Sequence, residues 1–122
     1  MGNLDESRPL FQQVASLLEE AILSGAYPEE TQIPSVADIS VNLQINPATA
    51  NKGVNLLVER GLLLKRRGLG MFVSRGAREA LQKERRDMFY EDFMLPMLEE
   101  AKRLGIEEQE LLLMLKRGMK QA

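Results

Sequence analysis

The chain contains no cysteine and no histidine. Without cysteine, neither a disulfide framework nor a cysteine-ligated zinc site can form. Without histidine, the commonest general base and a common metal ligand are both gone, which weighs heavily against catalysis. A metal site would have to be built from carboxylates. The clustered candidates Glu107, Glu108 and Glu110 read instead as the solvated start of a helix, where acids complement the positive end of the dipole. No phosphate-binding loop is present, and no apolar run approaches the ~20 residues of a membrane-spanning helix. The N-terminus lacks the apolar core of a signal peptide. These absences lead to the expectation of a soluble, cytoplasmic protein that is not an enzyme, uses no metal or cofactor and engages no membrane.

What is present is enough for one ordinary domain with an extension. The chain has 122 residues, 44% of them hydrophobic, which is too short for two full domains. The net charge of −2 conceals an uneven distribution. Residues 1–33 carry Arg8 against six acids, giving −5. Residues 34–75 carry Lys52, Arg60, Lys65, Arg66, Arg67 and Arg75 against Asp38 and Glu59, giving +4. Residues 76–122 hold nine basic and ten acidic residues, giving −1. An acidic protein binds nucleic acid if its positive charge is local, because exposed charges act within a Debye length of ~8–10 Å.

Residues 1–8 read as a frayed lead-in. Leu10, Phe11, Val14, Leu17, Leu18, Ala21 and Ile22 then recur at three- and four-residue steps, which predicts an amphipathic helix over 9–24 with Pro9 at its start and Gly25 at its end. A connecting loop covers 26–32. A second helix starts at Pro34-Ser35, capped by Ser35, with Val36, Ile39 and Leu43 as its apolar stripe. Asn46-Pro47 breaks it and opens a third. That third helix turns Ala50, Val54, Leu57 and Val58 inward and stops at Gly61. Its other face shows Ala48, Thr49, Asn51, Lys52 and Asn55, narrow and polar enough for its first turns to reach base edges in a DNA major groove. Leu62-Leu63-Leu64 and Met71-Phe72-Val73 predict two short strands joined by the basic tip KRRGLG, whose glycines let backbone approach a surface. Three helices followed by such a hairpin make a winged helix-turn-helix.

These residues resemble the GntR-type bacterial transcription regulators. The family pattern is a Pro-Ser-x-Arg-x-Leu-Ala helix, an Asn-Pro-started recognition helix with Thr, a Gly-Leu-Ile strand and a Gly-x-Gly-x-Phe-Val wing. Pro34-Ser35, Ile39, Asn46-Pro47, Thr49, Lys52, Gly61-Leu62 and Gly68-Leu69-Gly70-Met71-Phe72-Val73 match it. Pro9-Leu10-Phe11-Gln12-Gln13-Val14 and Ile22-Leu23-Ser24-Gly25 resemble the family's first helix, so the likeness covers residues 9–73. The short helical C-terminal region resembles the YtrA-like branch. The resemblance implies a dimeric repressor acting on a double-stranded DNA operator, typically its own operon. It puts Ser35, Asn46, Pro47, Ala48, Thr49, Asn51 and Lys52, with Lys65, Arg66, Arg67, Gly68, Leu69 and Gly70 of the wing, at the DNA. One departure stands out: the family's arginine in the Pro-Ser-x-Arg helix falls at Ala37. Alanine cannot read guanine, so specificity leans on Thr49, Asn51, Lys52 and the wing.

After Gly76, apolar residues from Ala80 to Leu104 predict one long helix, kinked at Pro96. Gly105 ends it, and 106–119 form another helix. One winged domain cannot bury two such faces, so a second copy of the chain is their natural cover. Met88, Phe89, Phe93, Met97, Leu98, Leu111, Leu112 and Leu115 are the expected dimerisation residues. Methionines in the same helices suit an adaptable pocket for a small-molecule effector, although interface packing is the simpler account. The expected architecture is mostly α with a small β-hairpin: a winged helix-turn-helix domain over 1–75, followed by a two-helix dimerisation region over 76–122. The alternative is a winged-helix module that binds protein instead of DNA, against which the local positive charge argues.

Overall fold

The computed structural model describes residues 4–122, and the chain divides after Lys83 into two compact units. The first unit contains α1 (Leu10–Ser24), α2 (Val36–Leu43), α3 (Pro47–Glu59), β1 (Leu63–Arg66), β2 (Gly70–Val73) and the start of α4 (Ala77–Phe89). Each helix begins where its sequence supplies a start signal. Pro9 occupies the N-cap of α1, and Gly25 closes that helix at φ 85°, a left-handed conformation open to glycine. At α2, the Ser35 hydroxyl accepts the Asp38 N–H at 3.1 Å while the Asp38 carboxylate accepts the Ser35 N–H at 3.4 Å. This reciprocal box satisfies two otherwise orphaned donors. At α3, the Asn46 side-chain oxygen accepts the Ala48 N–H at 2.8 Å, and Pro47 fills the first turn, where a missing N–H does no harm. Caps of this kind contribute ~0.5–2 kcal/mol each.

The core gathers one face from each element: Val14, Leu18 and Ile22 of α1, Ile39 of α2, Ala50, Val54 and Leu57 of α3, and Leu63, Met71 and Val73 of the hairpin. Ala77 and Leu81 of α4 belong to the same cluster, so the packed winged-helix unit takes in the first turns of α4. α1 and α3 pack tightly at Gly53. A Cβ there would stand 2.7 Å from Val14 Cβ and 2.8 Å from the Phe11 carbonyl oxygen. Only glycine allows that approach.

Three details differ from the sequence expectation. The strands are displaced and longer: Leu62 precedes β1, Lys65 pairs with Met71 and Arg66 with Gly70, leaving residues 67–69 as the tip. Charged side chains do not oppose extended backbone when they point to water, so the ladder runs on into the basic segment. The end of the loop 26–32 runs antiparallel along the outer edge of β2, with an isolated bridge between Gln32 and Phe72. The Glu30 N–H reaches the Val73 carbonyl at 2.8 Å, the Val73 N–H reaches Thr31 at 3.0 Å, and the Ile33 N–H reaches Met71 at 2.9 Å. Finally, of the lead-in 1–8, residues 1–3 lie outside the described part, and Asp5 and Arg8 are pinned. The buried Gln13 amide donates to the carbonyls of Asp5 at 2.7 Å and Arg8 at 2.8 Å.

The second unit is all helix: the end of α4, a π-helical turn over Tyr90–Met94, α5 (Leu95–Arg103) and α6 (Glu108–Gln121). Pro96 is accommodated by the π turn, in which the Leu95 N–H bonds back to the Tyr90 carbonyl. Widening the turn relieves the clash a proline ring makes with the preceding turn. Gly105, at φ 71°, ends α5, with the Ile106 N–H on the Ala101 carbonyl at 2.9 Å, the bonding of a Schellman cap. Among the residues of this unit only Ala101 is buried.

Candidate nucleic-acid interface

The outward side of α3 is a row of short and polar side chains. Ala48, Asn51 and Lys52 are exposed, and Thr49 and Asn55 are half-buried beside them, while Ala50, Val54 and Leu57 point into the core. Ser35 and Asn46 stand at the starts of α2 and α3 with their side-chain oxygens committed to capping. The Ser35 O–H and the Asn46 amide N–H groups remain as donors. Ala37 is exposed in the first turn of α2, so nothing there substitutes for a guanine-reading arginine.

At the wing, Lys65, Arg66, Arg67, Gly68, Leu69 and Gly70 are all exposed. The Leu69 N–H closes the tip onto the Arg66 carbonyl at 2.9 Å, and Gly68 supplies the φ of 75° that the third position of such a turn demands. The Gln32 amide then donates to the Leu69 carbonyl at 2.7 Å, anchoring the tip from the neighbouring segment. Gly70 makes room for it, since a Cβ there would lie 2.6 Å from the Gln32 nitrogen.

Three cations of this unit are held in two different ways. Arg60 is ion-paired to Glu19. Lys52 lies with its ammonium 4.0 Å from the centre of the Phe11 ring, and the Arg66 guanidinium lies 4.6 Å from that of Phe72. Among the described residues no carboxylate pairs with Lys52, Lys65, Arg66 or Arg67, so their positive charge is free to act on an incoming polyanion.

Sequence reasoning singled out the α3 row and the wing tip for DNA, placed Phe11 and Phe72 only in the apolar and family patterns, and gave no task to Gln32 or Gly53. A glycine inside a helical pattern is a signal for close packing, so Gly53 was findable. Phe11 and Gln32 act through partners 41 and 37 positions away, and periodicity carries no such information.

The expected dimerisation residues all lie in the second unit. Met88, Phe89, Phe93, Leu98, Leu112 and Leu115 are exposed, and Met97 and Leu111 are half-buried. The Phe89 and Phe93 rings stack obliquely at 5.7 Å. Met97, Leu111 and Leu115 join Leu104, Met114 and Met119 around a groove of about 450 Å³ between α5 and α6.

Comparison with known proteins agrees with this geometry. The pattern of the bacterial regulatory proteins of the gntR family matches residues 10–73. The HTH-type transcriptional repressor YtrA of Bacillus subtilis is 26% identical over 105 residues, covering 86% of this chain and 80% of its own. A GntR family transcriptional regulator from Listeria monocytogenes, 23% identical, superimposes with a TM-score of 0.74 over 93% of this chain and 98% of that one. The likeness to it is one of fold. The DNA-binding domain of AraR, solved in complex with an operator, is 28% identical with a TM-score of 0.54, over 61% of this chain and 90% of that one. With the match spanning α1 through β2, the chain belongs to the gntR family of bacterial regulatory proteins, and is a transcription regulator with a winged-helix DNA-binding domain, not an enzyme.

Proposed function

We propose that the protein is a homodimeric repressor, acting in the cytoplasm, that sets α3 into the major groove and the wing onto the adjacent groove or backbone. The observation that carries this reading is the set of four exposed cations without carboxylate partners, Lys52 on α3 and Lys65, Arg66 and Arg67 at the wing. Lys52 and the wing cations neutralise phosphate, and Asn51, with Thr49 and Ala48 beside it, faces base edges. Ser35, Asn46 and Pro47 hold the helix starts against the backbone, where the hydroxyl and amide donors meet phosphate oxygens. Gly68, Leu69 and Gly70 let the wing backbone come close. The operator-bound AraR domain and the repressor named among the relatives support DNA binding and repression respectively.

The dimer rests on the second unit, whose large apolar residues are exposed in the single chain: Phe93 at 68%, Leu113 at 67% and Met119 at 77%. Isolated helices with such faces are marginal in water, and a second copy covers them. An effector enters this scheme by binding the helical unit and altering the dimer, thereby changing operator affinity without touching α3. Selection of bound genomic fragments by the purified full-length protein tests the reading. The expected result is an inverted repeat with half-sites ~10 bp or a multiple apart. Recovery of no enriched fragment, or binding insensitive to salt, refutes it.

A further inference from the structure

We infer that Phe11 and Phe72 are positioning residues, aromatic seats that hold Lys52 and Arg66 in place for phosphate while leaving their charge uncancelled. The inference deepens the DNA-binding reading above and rests on it. Both cations sit within the ~6 Å over which a ring quadrupole attracts them, at 4.0 Å for Lys52 on Phe11 and 4.6 Å for Arg66 on Phe72.

Each seat is built by the backbone around it. Phe11 and Lys52 come from helices far apart in sequence. They meet because α1 and α3 pack closely at Gly53, the residue next to Lys52, where a Cβ would stand 2.8 Å from the Phe11 carbonyl oxygen. In the hairpin, Phe72 lies opposite Leu64 and Arg66 lies opposite Gly70. Arg66 and Phe72 are therefore diagonal neighbours on one face, within reach of long side chains. Gly70, opposite Arg66, has no side chain of its own, and the guanidinium lies over the diagonal ring.

The chemistry of the seat matters as much as its geometry. A free lysine or arginine surrenders much rotamer freedom on binding, and prior ordering recovers part of that loss. A carboxylate would order the cation too, but its negative charge would neutralise the field offered to DNA, as Glu19 does for Arg60. A phenyl ring carries no net charge, and it contacts the cation from one side only. The ordered cation reaches phosphate with its full charge and with the N–H groups on its open side.

The test is a pair of double-mutant cycles in the full-length protein, with titration on one operator fragment from the selection above at several salt concentrations. Phe11→Leu keeps an apolar side chain and removes the ring face; Phe11→Tyr keeps the ring; Lys52→Met removes the charge. Phe11→Leu should weaken binding roughly two- to fivefold with the salt slope unchanged. Phe11→Tyr should bind within about twofold of the parent. Lys52→Met should weaken binding and lower the log–log salt slope by about one, and Phe11→Leu added to it should change nothing further. Phe72→Leu with Arg66→Met should behave in parallel. Equal weakening by Phe11→Leu with and without Lys52, or no weakening with Lys52 present, overturns the seats and leaves DNA binding intact. Lys52→Met and Arg66→Met without effect on affinity or slope overturn the DNA-contact reading itself. Thermal melting of every variant accompanies the titrations. A stability loss in Phe11→Leu leaves the cycle decisive, because that loss recurs in the Lys52→Met background.

Discussion

Gly53→Ala is the smallest change that challenges the packing argument. The new methyl would meet Val14 Cβ and Cγ1 at 2.7 Å and the Phe11 carbonyl oxygen at 2.8 Å. Val14 is fully buried, and neither its Cβ nor a helix carbonyl can rotate aside, so α1 and α3 must separate. Overpacking of this kind costs ~1–3 kcal/mol, and the immobility of the neighbours favours the upper half of that range. Against it stands a helix-propensity gain of ~1 kcal/mol for alanine over glycine. The net expectation is a loss of ~1–2 kcal/mol. At ~4–8 °C per kcal/mol for a domain of this size, the midpoint should fall by ~4–16 °C. Thermal denaturation followed by circular dichroism measures it, at matched protein concentration because association makes the midpoint concentration-dependent. Operator affinity should fall as well, since separation of the helices carries Lys52 off Phe11. A Gly53→Ala protein that melts at or above the parent temperature would refute the steric reasoning, leaving intrinsic propensity as the larger effect.

Other substitutions separate the remaining parts of the mechanism. Lys65→Ala or Arg67→Ala should weaken binding across operator sequences and lower the salt slope by ~0.9 for each phosphate that is no longer neutralised. Asn51→Ala should relax preference at one base position at ~1–3 kcal/mol, and a uniform loss on all sequences would reduce Asn51 to a backbone contact. Ala37→Arg should tighten binding where guanine faces the start of α2, and unchanged affinity on every site in a randomised operator library would show that α2 lies away from the bases. A chain ending at Lys83 should remain folded and become monomeric, because Ala77 and Leu81 complete its core. Without the linked second half-site, operator affinity should then fall by orders of magnitude; sedimentation showing a dimer of the shortened chain would assign residues 84–122 another task.

The sequence was most legible where a local rule decides local structure. Ser35, Asn46 with Pro47, and the turns at Gly25, Gly61 and Gly105 mark element ends through dihedral and capping preferences that need no tertiary context. The apolar spacing of Val14, Leu18 and Ile22 likewise fixes the buried side of α1. What escaped were relations across the chain. The strand-like pairing of 30–33 with β2 leaves no alternating pattern, because the stretch is short and within it Glu30, Thr31 and Gln32 are exposed and only Ile33 is buried. Phe11 looks like any core aromatic until α3 delivers Lys52 to its ring. The π turn ahead of Pro96 is likewise unmarked, since a proline in a helical pattern signals only a break or kink.

That π turn sets the winding of the second unit. Phe89, Phe93, Met97 and Ala101 follow one another at steps of four. In a regular α-helix each such step overshoots a full circle by about 40°, so three steps would carry the stripe about a third of the way around the axis. A wider turn over Tyr90–Met94 takes up part of the overshoot and keeps the aromatic pair in phase with the residues beyond it. The segment thus works like a vernier between two stretches of helix, with one residue as its smallest division. Removing a single residue from 90–94 would restore α-helical winding while leaving the later side chains almost in phase, because a π turn holds one residue more than an α turn. Composition, charge and the apolar stripe would be almost untouched, while the Pro96 ring would again meet the carbonyl of the preceding turn.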